Sequence, residues 1–348
     1  MMIKILPVLL TALFLLGGCG HTPLREIHPA ALPPHPAEDA VTHARAKQLS
    51  QVLSPLKIRG AVIFPAAVFG RFETDTVLNA LQQCNFNRIY CHITSERELN
   101  ETLQNFIIAA KARGFAVEIV ISQQDFYRQY QINQVIRPLM VQYPTLTDAA
   151  MLVAKFNLEL PETSRLDGIT VHITPHLYNG SNVRRMYGSI YCWSEQRYGA
   201  GEDNDMLMRK IFADLKTIAA IENLPRLTVA MADFLHDRAQ KGDLTVGTVK
   251  DLCTITPQIA MVNSANLPSQ LVGNVSAELA AAPEKCQLLA VIPLATHTSI
   301  NSDRLRRRNW NDFIRAVDNL IATAGKSPAF GGVILSPFSV VEYLRLEK

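Results

Sequence analysis

The sequence predicts a (β/α)8 barrel, and three observations lead there. Short β-branched runs recur about eight times along the chain. Segments with helical spacing of apolar residues lie between them. Most of the runs are apolar throughout rather than alternating, as parallel strands covered by helices must be. A chain of 348 residues, 48% hydrophobic and 19% charged, has room for one such barrel and an appendage.

The runs, in order, are RGAVIF (59–64), NRIYCHI (87–93), AVEIVIS (116–122), GITVHIT (168–174), RLTVAMA (226–232), QIAMVN (258–263), QLLAVIP (287–293) and GGVILS (331–336). Between the second and third, SERELNETLQNFIIAAKARG reads as one helix, with Ser95 and Glu98 in capping-box register and Gly114 as its stop. From Asp205 to Asn223, Met208, Ile211, Phe212, Leu215, Ile218 and Ala219 share one face, and Pro225 follows the end. From Asp303 to Ala324, Phe313, Val317, Leu320 and Ile321 do the same before Gly325. Right-handed crossovers between successive parallel strands then close the ring. An open nucleotide-binding sheet is the competing architecture, but GAVIFPAAVFG carries no G-x-G-x-x-G after its strand.

The first residues supply the appendage. After Lys4, the apolar stretch Ile5–Leu16 is too short to span a bilayer and suits a signal-peptide core. Leu-Gly-Gly-Cys then resembles a bacterial lipobox, which implies acylation (palmitate among the chains) at Cys19 and membrane anchoring through that lipid. Gly20 stands where an inner-membrane retention aspartate would be, so the outer membrane is the expected address. The expected organisation is a signal peptide at 1–18, a Pro/Ala/His-rich tether at 19–48 and the barrel at 49–348. The other cysteines, Cys84, Cys91, Cys192, Cys253 and Cys286, are odd in number and irregular in spacing; they read as core residues, with Cys84 and Cys91 the pair to consider for a bridge. A net charge of +3, with basic residues scattered apart from Arg306–Arg308, does not argue for a nucleic-acid surface, and none is expected.

In a barrel, chemistry belongs to the carboxyl ends of the strands. That rule selects Tyr90 and His92, then Gln123, Gln124 and Asp125, then His172, Thr174 and His176, then Asp233, Asn263, Asn266, Thr296, His297 and Ser336. The long stretch from Tyr178 to Asn204 adds Tyr187, Tyr191, Trp193 and Tyr198, aromatic faces suited to sugar rings, with loop packing as the competing reading. The tether histidines His21, His28, His35 and His43, and His172 with His176 joined by His92 or His297, are the metal arrangements to weigh; solvated linker residues and hydrogen-bonding histidines in the mouth are the preferred readings, with no metal and no cofactor expected. No G-x-S-x-G elbow is present.

Asp167, Gly168 and Ile169 resemble the start of the DG-hydrophobic-D-x-D-x-E strand of chitinase-like glycoside hydrolases. A looser similarity to bacterial barrel glycosidases runs through FNRIYCHIT, AMADFLHD, QIAMVN, LLAVIP and FGGVILSPFSVVEYL in that order. The resemblance implies a sugar-cleaving barrel, but this strand carries Thr170, His172 and Thr174 where the family carries acids, Thr174 standing at the proton donor. Asn263 replaces a tyrosine of the sixth strand, VIPLATHT lacks an acid after the seventh, and Ser336 and Pro337 stand near a lost aromatic of the eighth. Glycoside hydrolysis uses two carboxyl groups, and a threonine hydroxyl protonates nothing near neutral pH. Three functions therefore stand open. The first is glycan or envelope binding without turnover, using Tyr90, His172, His176, Trp193, Asp233 and Asn263. The second is hydrolysis by Asp125 and Asp233, aided by Glu195, Glu202 or Asp203. The third is a structural lipoprotein with a plugged barrel.

Overall fold

The computed structural model describes residues 40–122, 146–173, 202–263, 270–293 and 310–336. Eight parallel strands close into one barrel in sequence order, β1 to β8, with β8 pairing back to β1. They are β1 Ile58–Ile63, β2 Arg88–Ile93, β3 Ala116–Ser122, β4 Gly168–Ile173, β5 Leu227–Ala232, β6 Gln258–Val262, β7 Gln287–Pro293 and β8 Phe330–Ser336. Every strand predicted from an apolar run is present, its ends within a residue or so of the run.

The helices are α1 Ala40–Leu53, α2 Pro65–Val68, α3 Thr74–Gln83, α4 Glu101–Ala112, α5 Leu146–Glu159, α6 Glu202–Ala219, α7 Asp233–Gln240, α8 Val249–Cys253, α9 Gly273–Ala281 and α10 Trp310–Ala324. None of them is long and apolar enough to cross a membrane. The apolar stripe of α6 is buried as its spacing predicts at Met208, Ile211, Leu215 and Ile218, with Phe212 partly covered and Ala219 exposed. Phe313, Val317, Leu320 and Ile321 of α10 are likewise buried.

Two predicted elements differ. The single helix expected from Ser95 is a 3-10 turn, Glu96–Glu98, followed by α4. Glu98 Oε1 accepts from Thr94 N, Thr94 Oγ1 and Ser95 N, so the capping box closes that short turn. The helix proper starts at Asn100, whose extended backbone and side-chain bond from Leu103 N make it the N-cap. Residues 40–48, assigned to the tether by composition, belong to α1. Ala46, Leu49 and Leu53 are buried against α3 and α10, and Gln48 accepts a hydrogen bond from Trp310 Nε1. The apolar face of α1 straddles residue 49, and among the described side chains before it only Ala46 is buried. The signal and acylation readings at 1–39 lie outside the described residues.

The cysteine expectation is also corrected. Cys253, ending α8, is bonded to Cys286, which precedes β7, with Cα atoms 6.1 Å apart. Cys84 and Cys91 are buried free thiols. β6 and β7 are neighbours, so the segments entering them meet although the cysteines are 33 residues apart.

The core has two parts. The larger lies between barrel and helices; the smaller fills the barrel itself with Ile58, Val62, Tyr90, Val120, Ala230, Ala260, Leu289, Val291 and Ile334. Strand alternation then sets what lies above and below this interior layer.

Candidate functional site at the barrel mouth

Below the apolar layer, at the amino ends of the strands, the barrel holds a polar lattice. Glu118, fully buried on β3, accepts from Arg88 Nη1 at 2.7 Å, Arg226 Nη2 at 3.0 Å and Thr170 Oγ1 at 2.8 Å. Beside it, Thr228 Oγ1 donates to Gln258 Oε1 and Gln258 Nε2 to Gln287 Oε1. Segments entering or forming β2 to β7 are thereby tied across the floor.

This lattice accounts for the fingerprint of the fourth strand. Asp167 Oδ2 accepts from Lys111 Nζ at 2.8 Å and Val117 N at 2.7 Å, which fixes the entry of β4 against α4 and β3. At Gly168 a Cβ would lie 2.8 Å from Glu118 Cδ and 2.9 Å from the Arg226 carbonyl, so only glycine admits the buried carboxylate. Thr170 hydrogen-bonds that same carboxylate. The residues that resemble a catalytic strand are thus, in their first half, floor architecture. Glu118 itself was not among the predicted site residues; its one signal is a lone glutamate inside the apolar run AVEIVIS.

Tyr90, expected at the mouth, is in the middle of the barrel and 1% exposed. Its ring lies against Gly60, where a Cβ would be 2.6 Å from Tyr90 Cε2. Its hydroxyl is buried within reach of the Arg88 guanidinium; burial, and then the Glu118 charge, hold the phenol far above its ordinary range against the opposing pull of Arg88. The reason is register: β2 continues to Ile93, so the mouth residue on the inward face is His92, two positions on.

The mouth floor among the described residues is built by the next inward positions: Phe64, His92, Ser122, His172, Val262 and Ser336. Phe64 and His92 stack with centroids 4.7 Å apart at 28°. Phe64 and Val262 pack on the inner apolar layer, and Ser122 lies opposite His172 in the β3–β4 register. Both histidines are half-buried. Phe64 was missed by the sequence reading, although its alternation from Ile58 and Val62 pointed inward.

Asp233 begins α7 directly after β5, is 3% exposed, and its Oδ1 accepts from Phe234 N at 2.7 Å. Asn263 is 1% exposed and donates from Nδ2 to the Leu271 carbonyl at 2.8 Å, clamping the end of β6 to the turn before α9. Both are engaged beneath the surface. Asp125, His176 and Trp193, with Gln123, Gln124, Thr174, Glu195, Asn266, Thr296 and His297, lie outside the described residues. Among the described residues no group of three or more His, Cys, Asp or Glu side chains is arranged to hold a metal ion. A separate recess of about 360 Å³ opens beside α2, lined by Pro65, Ala66, Phe69, Glu98, Asn100 and Thr102.

No family model matches the chain, and no curated protein does. Among solved structures it is similar to TsXylA, an intracellular xylanase from Thermoanaerobacterium saccharolyticum crystallised with xylotetraose, at 10% identity over 83% of this chain and 87% of that one, TM-score 0.45. It is also similar to xylanase A of P fluorescens subsp. cellulosa in complex with xylopentaose, at 9% identity over 81% and 88% of the two chains, TM-score 0.44. A third is the CBM22-1-GH10 portion of the Clostridium thermocellum xylanase 10B with xylohexaose, at 13% identity over 83% of this chain and 60% of that one, TM-score 0.43. At these identities and scores the likenesses say nothing of chemistry, and the barrel rests on its own strand order.

Proposed function

We propose that this chain is a glycoside-hydrolase-like barrel lipoprotein that binds glycan, or another polymer of the bacterial envelope, at the barrel mouth without turnover. The observation that carries the reading is the fourth strand. Its inward positions within the described residues are Thr170, bonded to Glu118, and His172; neither is a carboxylic acid able to protonate a leaving sugar oxygen. Asp233, the strand-end carboxylate of β5, is closed off and accepts from a backbone amide, whereas a catalytic pair must face an open cleft. The stacked Phe64–His92 pair supports the reading, because an aromatic surface suits the C–H face of a sugar ring. Anchoring through acylated Cys19 would hold that mouth at the envelope, in agreement with the lipobox at Leu16–Cys19.

The test is a glycan-array screen of the chain from residue 40 onward, followed by a hydrolysis assay on every glycan that binds. The expected outcome is saturable binding with no product, and about tenfold weaker binding in His92→Ala and in His172→Ala, the size of one lost ring contact, with both variants still folded by circular dichroism at the assay temperature. Product formation abolished by Asp233→Asn would replace this reading with hydrolysis.

A further inference from the structure

Behind Asp233 lies a carboxyl group that neither the fold nor the mouth explains. Glu278, on α9, is 2% exposed, and its Oε2 has no hydrogen-bond partner. α9 packs against α7, α8 and α10, and the charges acting on Glu278 are those of Asp233 and Asp237, one turn apart on α7. We propose that Glu278 is a proton-controlled latch between α7 and α9: neutral, it lies buried between them, and ionised, it loosens their contact and the β5 exit that bears Asp233.

Among the described residues of the helices packed on α9, no cation is placed to relieve an ionised Glu278. On α7, His236 accepts from Val249 N through Nδ1, its Nε2 is buried without a partner, and burial lowers its affinity for a proton. Arg238 is paired with Asp243. On α8, Asp251 accepts from Gly247 N, Thr248 N and Thr248 Oγ1, and Lys250 is exposed. On α10, Asp312 and Arg315 pair with each other and Asp318 is exposed. Burial pushes the Glu278 carboxyl up to about 8; its own backbone N–H is the next effect and opposes the rise, and the Asp233 and Asp237 charges add to it.

The sign follows. The folded state holds this proton more tightly than the unfolded chain, whose glutamate has a value near 4.5. The stabilisation is complete below that value, declines as the pH rises above it, and is exhausted above about 8. The pH range in which the latch opens is mildly alkaline, and the proposal does not depend on what occupies the mouth.

The experiment is hydrogen exchange by mass spectrometry on the full chain between pH 6.5 and 9.5, corrected for the intrinsic pH dependence of exchange. Peptides covering 233–240 and 273–281 are expected to exchange about tenfold or more faster at the alkaline end, while 101–112 does not change. Glu278→Gln should abolish the difference. Should that variant fail to fold, Asp237→Asn, at an exposed position, serves instead: it removes one opposing charge and should move the opening midpoint to lower pH. Uniform exchange across the three segments, an unaltered pH dependence in Glu278→Gln, or an unmoved midpoint in Asp237→Asn each overturns the latch.

Discussion

Replacing Glu118 by glutamine tests the account given above of the fourth strand. The carboxylate is fully buried and bonded by Arg88, Arg226 and Thr170. Glutamine keeps the volume but removes the charge and turns one acceptor into a donor facing a donor. Arg88, whose side chain is 14% exposed, would be left buried opposite a neutral group, whereas Arg226, at 40%, retains water. Breaking a buried pair from one side costs about 3–5 kcal/mol, nearly all of it assigned here to Arg88. The exposed half is screened and adds well under about 1 kcal/mol. Urea denaturation of the purified chain should show that loss in the unfolding free energy, and a thermal scan a midpoint lower by about 6–15 °C. The double variant Arg88→Met with Glu118→Gln should recover much of it, since no unpaired charge remains. A loss below about 1 kcal/mol in Glu118→Gln, or no recovery in the double variant, would refute the claim that the floor lattice explains Gly168 and Thr170.

Gly168→Ala should fail to give soluble protein, or fold at least about 3 kcal/mol less stably, because its Cβ meets both a buried side chain and a backbone carbonyl; expression followed by urea titration decides it. Reducing Cys253–Cys286, which closes a loop of 33 residues, should cost about 3–4 kcal/mol, read as a lowered urea midpoint in dithiothreitol. In the native protein Cys84, whose thiol burial pushes up to about 12, and Cys91, raised further still, should resist thiol reagents until denaturant is added, with mass spectrometry reporting the labelled peptides. Starting the chain at Leu49 instead of Ala40 removes the first nine residues of α1 with buried Ala46 and the Gln48 bond to Trp310; it should lower the thermal midpoint relative to the longer chain, and equal midpoints would place the domain boundary later.

The barrel was legible because parallel strands covered on the outside and packed within leave little place for polar residues, and so each shows as an apolar run. What was hard to read depended on position within a run. Tyr90 and His92 share a face, and only the length of β2 says which of them reaches the opening. Asn100 outcompetes Ser95 as the cap of α4 through a turn that spacing alone does not reveal. The half of α1 before residue 49 is too poor in large apolar side chains to announce itself, and the disulfide joins segments that only strand order makes neighbours. Glu118 was visible as a charge in an apolar strand, but its role depends on Arg88, Thr170 and Arg226, contributed by three other segments.

The polar lattice has one more consequence. Its partners meet only when every strand from β2 to β7 stands at its proper height relative to the next. A slip of one residue by β3 would turn Glu118 outward among the hydrocarbon undersides of the helices and leave the Arg88 charge buried without it. The bottom of the barrel therefore acts as a proofreader of strand alignment during folding, penalising misthreaded rings with unanswered charge, and it leaves the opposite rim free to change its loops without endangering closure.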